Sequence, residues 1–563
     1  MVDNPESPST TRPFRSVELF VPFLLFLAIF SLTQMRNLSA FPDGTAYLNC
    51  IDAGRYYFHS THLLFNITGH LWMVLWQVFG LHADSEIMVP LLNSLVGALL
   101  LSVVYTMLRT RLSLNRLMAL SGTSLIAFSY VFWLNSVSVS SLMIPLFFMV
   151  LSVYLLTGED LRPKDIYLAG ITCAFAFLYH LPNVLFVPVV LTGLFIRRSR
   201  TDGFFRSALR FFIAYIPVAV GIYVLFVILV VHPHNIGEAW SWAIDRGAKY
   251  APNAIFGLNP GTLLKALYGS SKSIIGVYWL LAIPSLKGIV LHALGQAFFI
   301  TPMLFLVRNS DPRLASGLLV LSIIFAAIAI SLFVLRLREF GRIWRHSNGL
   351  IPMACIWFAI YGVFYFFWCP SEIYFKLPQT LSCWLIFSAL MGSGQSSHAG
   401  SRRAILFLTC LIALLLMVIN FGGNISLFLT RDNDYYFHKI APFRDVVGAN
   451  DLLVLDESAA TTDYADRYIK GHKLDLLATW LDSRDPDVYI GTAARRISDA
   501  LRNNGRVFIM SGALDFQPYA VVPYGEGIKS ISKLWDLYRS RWDLETYGDA
   551  NVYVLHKDDL LNP

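Results

Sequence analysis

Apolar runs of roughly 20 residues recur along most of the chain, and a helix of that length crosses the hydrocarbon core of a bilayer. The chain has 563 residues, of which 56% are hydrophobic and only 14% are charged. A soluble domain carries about 25% charged residues, so this composition excludes an ordinary water-soluble fold. The sequence therefore predicts an α-helical polytopic membrane protein.

Clusters of arginine indicate how the apolar runs cross the membrane, because an excess of Lys and Arg marks the cytoplasmic side. If the N-terminus is cytoplasmic and the apolar segment 62–80 does not cross, all the later clusters fall inside. If 62–80 crosses, the same clusters fall outside. We therefore predict that 62–80 is a helix lying in the outer interface. The clusters are Arg109, Arg111 and Arg116; Arg197, Arg198, Arg200 and Arg206; Arg336, Arg338, Arg342 and Arg345; and Arg402 and Arg403.

This topology predicts about thirteen spanning helices by hydropathy. The run at 273–286 is short and could be re-entrant, which would change the count by one or two. We predict a cytoplasmic tail at 1–16, a transmembrane domain at 17–421 with an outer loop at 36–85, and an outer domain at 422–563.

The sequence changes character after residue 421, where charges become frequent and apolar runs shorten to strand length. Strands are predicted at 451–456, 506–510 and 551–556, and helical spacing occurs at 491–504 and 528–540. A small extracytoplasmic α/β domain is the natural interpretation. It has no Gly-rich phosphate loop, so we expect it to bind or shield rather than to catalyse.

The net charge of +7 does not indicate nucleic-acid binding, because the arginines lie beside apolar runs, where they act as topology signals. We expect a multi-pass integral membrane protein, with the plasma (inner) membrane as its location. Its N-terminus is expected in the cytoplasm and its C-terminal domain outside.

Titratable side chains are concentrated in the stretch after the first apolar run. Asp43, Asp52, Arg55, His59 and His62 lie there among aromatic residues. An acid followed by basic and imidazole groups at a membrane surface suits chemistry on an anionic, lipid-borne substrate. The alternative is a polar connector between two spans.

The order of these parts resembles the GT-C glycosyltransferases, polytopic enzymes that take a sugar from a polyprenyl-phosphate carrier. In that superfamily the first span leads into an outer loop with a catalytic Asp or Glu, and an interfacial helix with a His/Lys-Pro-Pro motif precedes the second span. Here Asp43 follows the first span, "HSTHLLFNITGHLW" takes the place of the interfacial helix, and 86–108 becomes the second span.

Further elements are similar to the protein O-mannosyltransferase-like subgroup. They are Asp43-Gly44, then His59 through His62, "FLYHLPNVLFVPVVL" around His180, and the late loop "WCPSEIYFKLP" at 368–378. Two elements depart from the subgroup: the prolines after His59 are absent, and Ser140 stands near the place of an expected acid. The resemblance therefore supports the superfamily better than the subgroup.

The resemblance implies a membrane glycosyltransferase that acts on the extracytoplasmic or lumenal face, with inversion at the anomeric carbon. Its donor would be a polyprenyl-phosphate sugar, and its acceptor a protein, lipid or glycan that the sequence does not identify. Such transfer needs a base for the acceptor hydroxyl, and cationic or hydrogen-bonding groups for the departing phosphate. Some relatives use a metal. No cluster of carboxylates or histidines at ligand spacing is present in the sequence, so we predict no metal and no other cofactor.

Asp43 is the candidate base, because desolvation at the membrane edge can raise the pKa of a carboxyl group toward the useful range. The alternative for Asp43 is a turn or helix-capping aspartate in Pro-Asp-Gly. Asp52 is the second candidate for the base. Arg55 and His59, four residues apart, would share one face of a helix and could bind phosphate, or that face could simply be solvated.

The remaining candidates lie in or beside the same outer region. His62 could join the phosphate-binding group or merely snorkel. His180 lies in an apolar run, where an unpartnered imidazole is costly, so it either lines a cavity or is a satisfied core histidine. Lys376 could hold the lipid phosphate, or it could form a surface ion pair with Glu372.

Three other functions fit parts of the sequence. A surface-polysaccharide polymerase or O-antigen-ligase-like protein also has about a dozen spans, but it would place its key Arg and His in a late loop such as 232–272. A transporter or flippase tends to show related halves, and no internal repeat is visible in the sequence. A non-catalytic GT-C-like scaffold is compatible with the missing acid near Ser140.

Overall fold

The computed structural model describes most of the chain as a helical bundle joined to a small mixed sheet. The described residues are 17–41, 43–54, 60–198, 203–239, 242, 260–294, 300–392, 399–455, 459–476, 479, 485–510, 513, 535, 536, 538, 543–547 and 550–555.

Local sequence signals determine where several helices of the first half begin. The side chains of Asp84 and Asn115 cap the helices that follow them, accepting from the backbone N–H groups of Glu86 and Met118. Pro163 opens another helix at a position where it costs no hydrogen bond. The helices are α1 Val17–Leu32, α2 Asp43–Ala53, α3 Phe65–Val78, α4 Ser85–Thr110, α5 Arg116–Phe128, α6 Tyr130–Val137, α7 Met143–Leu156, α8 Pro163–Tyr179, α9 Val187–Arg198 and α10 Phe204–Val231.

The helices of the second half are joined in places by short 3-10 turns. A 3-10 turn at Leu181–Phe186 joins α8 to α9, and another at Tyr374–Lys376 precedes α17. The helices are α11 Pro260–Ile274, α12 Pro284–Leu294, α13 Ile300–Leu306, α14 Pro312–Arg336, α15 Phe340–His346, α16 Leu350–Phe367, α17 Leu377–Gly392, α18 Ala399–Gly423, α19 Tyr435–Ile440, α20 Ala459–Tyr468 and α21 Pro486–Arg502.

The chain is an integral, multi-pass membrane protein. Among the described residues, six helices are long and apolar enough to cross a membrane, or seven if α5 and α6, bent by 70° at Ser129, form one span. Two shorter apolar helices lie at Phe20–Leu32 and Met143–Leu156. The predicted number of about thirteen spans is therefore not confirmed.

The run at 273–286, which the sequence left open as a short span or a re-entrant segment, is not one continuous helix. It passes through the end of α11, a 3-10 turn at Tyr278–Ala282 and the start of α12. α12 and α13 lie on either side of residues 295–299, which are outside the described residues. Pro284 begins a new helix, because its ring cannot continue the preceding hydrogen-bonding pattern.

Helix α3 supports the prediction that 62–80 does not cross the membrane. Its 14 residues extend about 21 Å, which is less than the hydrocarbon thickness. It packs against α2 and α4, and the indole N–H of Trp72 donates to the carbonyl of Met88 at 2.7 Å. Its position in the outer interface remains a prediction.

The C-terminal segment contains a five-stranded mixed sheet in the order β2-β1-β3-β5-β4. β1 is parallel to β2 and β3, whereas β5 is antiparallel to β3 and β4. β1, β3 and β5 lie where strands were predicted. α21 covers residues 491–502 of the predicted helical stretch 491–504, and most of 528–540 lies outside the described residues. The strands are β1 Leu452–Leu455, β2 His472–Asp475, β3 Val507–Met510, β4 Asp543–Tyr547 and β5 Ala550–Leu555.

Helix α2 lies between the membrane helices and the C-terminal segment. Leu48 and Ile51 of α2 belong to the same buried apolar cluster as Phe443 and Tyr464 of the C-terminal segment. A buried carboxylate reinforces this contact: Asp434 accepts from the backbone N–H of Leu38 at 2.9 Å and from the Tyr464 hydroxyl at 2.8 Å. The residues before and within α2 are therefore held by the membrane helices on one side and by the C-terminal segment on the other.

Candidate active site

Asp43 is the first residue of α2 and occupies an accessible position at the edge of the bundle. Gly44 lets α2 approach the 138–142 segment, since a Cβ at this position would lie 3.2 Å from both the Cβ and the carbonyl oxygen of Val139. The Asp43 side chain is solvent-accessible, and no described residue forms a hydrogen bond or ion pair with its carboxylate. The surrounding protein raises the pKa of this carboxyl group by desolvation.

Aromatic contacts connect α2 to the segments that carry the other candidates. Phe41 packs edge-on against Tyr374, with ring centroids 4.5 Å apart. Tyr47 packs edge-on against His62, with ring centroids 5.8 Å apart. α2 therefore contacts the segment before α3, and Phe41, two residues before α2, contacts the turn before α17.

The rings of His62 and His180 pack against each other with centroids 5.0 Å apart and a 31° tilt between their planes. The backbone N–H of Leu181 donates to the carbonyl of Thr61 at 3.0 Å, and Nδ1 of His62 lies 3.3 Å from the carbonyl of Tyr179. These contacts hold the pair at the break between α8 and the following 3-10 turn. Burial lowers the pKa of His62 to about 4, so at neutral pH it is an uncharged hydrogen-bonding group.

Lys376 directly follows Phe375, whose ring stacks on His180 with ring centroids 6.1 Å apart. The lysine is only 1% exposed. Burial lowers the pKa of its ammonium group to about 8, and no described carboxylate forms an ion pair with it. The surface ion pair with Glu372, considered from the sequence, is absent from the described part of the chain.

Glu372, just before the 3-10 turn Tyr374–Lys376, and Lys272, on α11, face a common cavity. Both line a small cavity of about 50 Å³ together with Tyr278 and Tyr374. Burial raises the pKa of the Glu372 carboxyl group, the positive charge of Lys272 opposes this, and the negative charge of Asp43 adds to it. The charge of Asp43 therefore acts on this cavity.

Asp463 of α20 brings a carboxylate from the C-terminal segment to α2. The side-chain amide of Asn49 donates to the backbone carbonyl of Asp463 at 2.8 Å. Burial, together with the charges of Asp43, Asp466 and Asp475, raises the pKa of Asp463 to about 8. Asp463 is consequently uncharged at neutral pH.

Asp52 lies at the opposite end of α2 from Asp43 and is bound to other residues. Its carboxylate accepts from the Ser85 hydroxyl at 2.7 Å and forms an ion pair with Arg467 at 2.8 Å. Arg467 also contacts Asp84 at 3.2 Å and Glu86 at 2.5 Å. This end of α2 is therefore a junction with the C-terminal segment.

The structure leaves two predicted phosphate-binding residues undescribed and shows what surrounds Ser140. Arg55 and His59 lie outside the described residues. Ser140 is fully buried, and its hydroxyl donates to Asn135, while the amide of Asn93 donates to the carbonyl of Ser140 at 2.8 Å. A neutral polar network thus occupies the place where the subgroup has an acid. Among the described residues, no group of three or more His, Cys, Asp or Glu side chains could hold a metal ion.

Three residues near Asp43 were not predicted as site residues: Lys272, Glu372 and Asp463. Lys272 had a usable signal, since it is a single cation directly before an apolar run. Glu372 was considered only as a partner for Lys376. Asp463 had none, because only the packing of α20 on α2 brings it near the site.

No family model and no curated relative matches the sequence. The chain is similar to the crystal structure of ArnT from Cupriavidus metallidurans bound to undecaprenyl phosphate, with 10% identity, a TM-score of 0.55, and coverage of 96% of this chain and 98% of that chain. The oligosaccharyltransferase of Archaeoglobus fulgidus tethered to an acceptor peptide is also similar, with 10% identity, a TM-score of 0.46, and coverage of 96% and 74%. The S. cerevisiae protein O-mannosyltransferase Pmt1-Pmt2 complex bound to its sugar donor matches with 15% identity and a TM-score of 0.30. This match covers 42% of this chain and 36% of that chain.

The likeness to ArnT extends over nearly the full length of both chains, and at 10% identity it is a likeness of fold. The fold that it shows is the one that the order of the sequence elements predicted. The chain therefore has the overall fold of this ArnT structure.

Proposed function

We propose that this protein is a membrane glycosyltransferase that moves a sugar from a polyprenyl-phosphate carrier to an acceptor hydroxyl. One observation carries the proposal: an accessible carboxylate at Asp43 and a buried ammonium group at Lys376 lie on adjoining segments, and neither forms an ion pair with a described residue. A buried cation is costly unless an anion compensates it. A phosphate group is the anion that such a donor would supply.

The proposed reaction is a direct displacement at the anomeric carbon. Asp43 takes the proton of the acceptor hydroxyl while that oxygen forms a bond to the anomeric carbon. The bond from the anomeric carbon to the phosphate oxygen breaks, and the electron pair leaves with the polyprenyl phosphate. Attack opposite the leaving group inverts the anomeric configuration.

Lys376 would stabilise the leaving phosphate through its positive charge. His62 and His180, beside it, would contribute hydrogen bonds, since His62 is uncharged at neutral pH. Arg55 and His59 remain proposed contributors to phosphate binding on the strength of their sequence positions. No metal or other cofactor is proposed.

The contacts favour Asp43 over Asp52 as the base. Asp52 is held by Arg467 and Ser85, and proton transfer to it would weaken that ion pair. Asp43 is accessible and has a raised pKa, which brings a carboxyl group nearer to the working pH of a general base.

The carrier class has support from the fold comparison, because the similar ArnT structure was obtained with undecaprenyl phosphate. The arginine clusters support a cytoplasmic N-terminus and, with it, an extracytoplasmic Asp43 region and C-terminal α/β segment. The proposed location is the plasma membrane. The sugar acceptor, whether protein, lipid or glycan, is left open.

Binding and transfer can be tested with the purified protein in detergent or nanodiscs. We expect undecaprenyl phosphate to bind at least about 10-fold more tightly than undecaprenol, because only the former compensates the charge of Lys376. We also expect transfer of radiolabelled sugar from an undecaprenyl-phosphate sugar to acceptors in membranes that contain the protein. Equal affinity for the two lipids, together with no transfer from any such donor, would exclude the proposal. Retained transfer after Asp43→Asn would instead favour a polysaccharide polymerase or ligase.

A further inference from the structure

The cavity between Lys272 and Glu372 is a polar site that the proposed phosphate chemistry does not use. It has a volume of about 50 Å³ and is lined by Lys272, Glu372, Ser39, Tyr278 and Tyr374, among others. A water molecule needs about 10 to 15 Å³ on this measure, so the cavity has room for about four waters. That space matches one edge of a sugar ring with its hydroxyl groups.

The two charged residues of this cavity lie on different elements and form no ion pair with each other. Lys272 comes from α11 and is 5% exposed, and its Nζ lies 4.6 Å from the ring centroid of Tyr278. Glu372 comes from the turn before α17, and it forms no ion pair with Lys272 or any other described residue. A cation and a carboxylate therefore face one cavity, and a ligand could bond to both.

We propose that this cavity binds the hydroxyl edge of the donor's sugar, and that the sugar is an uncharged pyranose. The inference rests on the proposed function. Glu372 would accept hydrogen bonds from sugar hydroxyls, and Lys272 would donate to their oxygen atoms. The rings of Tyr278 and Tyr374 supply apolar surface for the C–H face of the ring.

The position of the cavity fits the donor better than the acceptor. Tyr374 belongs to the same 3-10 turn as Lys376, the proposed phosphate ligand, and Glu372 lies two residues before that turn. The charge of Asp43 acts on Glu372, so the proposed base lies near the same cavity. A sugar attached to a phosphate at Lys376 would extend along this turn toward Glu372.

The opposite charges of Lys272 and Glu372 favour an uncharged sugar in this cavity. A cationic substituent would meet Lys272, and an anionic one would meet Glu372, so a ligand with a single charge would gain one attraction at the cost of one repulsion. A neutral ring with neighbouring hydroxyls satisfies both side chains at once.

The test compares binding of undecaprenyl phosphate, undecaprenyl-phosphate glucose and undecaprenyl-phosphate mannose to the full-length protein. We expect at least one of the two sugar lipids to bind about 10-fold more tightly than undecaprenyl phosphate. Lys272→Met and Glu372→Gln should remove that gain, while changing the affinity for undecaprenyl phosphate less than about 3-fold. Lys265→Met, an exposed lysine on the same helix, is the matched control and should leave all three affinities unchanged.

The outcomes separate this inference from the proposed function. If undecaprenyl phosphate does not bind the wild-type protein, the proposed function fails. If it binds and neither hexose adds affinity, or if the variants weaken all three lipids equally, only the sugar site is overturned. Should Lys272→Met fail to fold, Glu372→Gln and Tyr278→Phe test the same cavity with smaller changes in volume.

Discussion

The charged groups near one end of α2 form ion pairs, whereas those near the other end form none with the residues that the structure describes. At the end with Asp52, the carboxylates of Asp52, Asp84 and Glu86 all contact Arg467, and Glu86 also contacts Arg431. At the end with Asp43, the charged groups of Asp43, Lys376, Lys272 and Glu372 form no ion pair with a described residue.

This difference separates assembly from ligand binding. The paired charges at the Asp52 end join α2 and the start of α4 to the C-terminal segment, and their interactions are complete without a ligand. The unpaired charges at the Asp43 end lie beside a cavity and are costly unless a ligand compensates them. Substitutions at the first end should therefore change stability, and those at the second should change binding and turnover.

The largest expected effect is that of Asp43→Asn. Loss of a general base lowers the rate about 10²- to 10⁴-fold, so transfer from an undecaprenyl-phosphate sugar should fall by that factor. The unfolding temperature should not fall, because no described residue bonds to this carboxylate. Transfer rate and unfolding temperature measured on the same preparation check both expectations, and a lowered unfolding temperature with normal transfer would reverse the roles of the two ends.

The largest effect on stability is expected for Arg467→Met. Arg467 is 11% exposed and Glu86 only 5%, and removing one partner of a buried ion pair costs about 3 to 5 kcal/mol. The C-terminal segment should become sensitive to limited proteolysis, while the affinity of the remaining folded protein for undecaprenyl phosphate is retained. Arg495→Met, an exposed arginine on α21, is the control and should change the unfolding free energy by less than about 0.5 kcal/mol.

The pH dependence of binding distinguishes the unpaired end from the paired one. Because the pKa of Lys376 is about 8, its ammonium group is charged below pH 8 and loses its proton above it. An anion that requires the charged form should bind about 10-fold more weakly for each pH unit above 8. Lys376→Arg should remove this decline, because a guanidinium group stays charged. Asp463→Asn controls for the ionisation of Asp463 in the same range.

The smallest effect is expected for Asp52→Asn, which is the matched comparison for Asp43→Asn. Asp52 is 43% exposed, and an exposed ion pair contributes about 0 to 1 kcal/mol. The transfer rate should change less than about 3-fold, since this carboxylate serves the junction with the C-terminal segment. A fall in transfer rate as large as that of Asp43→Asn would instead indicate that Asp52 is the base.

The sequence predicted the features that depend on neighbouring residues. Asp43 was proposed as the base from its place after the first apolar run, and 62–80 was interpreted as a non-spanning helix from the arginine clusters; both remain predictions. β1, β3 and β5 were predicted because their apolar residues are continuous. β2 and β4, with the polar sequences "HKLD" and "DLETY", lie at the edges of the sheet and have no such pattern.

Features that depend on tertiary packing were missed. The run at 273–286 is not one continuous helix, because Pro284 starts a new helix and Gly276 is bound to Asn420 and Asn424. The contact of Asp463 with α2 joins residues more than 400 positions apart, as the bond from Asn49 to Asp463 illustrates. No local pattern in the sequence records such a contact.

The most direct test of the account is the affinity for undecaprenyl phosphate of Lys376→Met, measured beside that of the wild-type protein and Arg467→Met. A hydrogen-bonded charge contributes about 1.5 to 3 kcal/mol, so Lys376→Met should bind this lipid about 10- to 100-fold more weakly. Its unfolding temperature should not fall, because the substitution removes a costly buried charge. Arg467→Met should show the reverse, with weakened stability and retained affinity. Wild-type affinity in Lys376→Met would contradict the claim that the unpaired charges at the Asp43 end of α2 form the binding site.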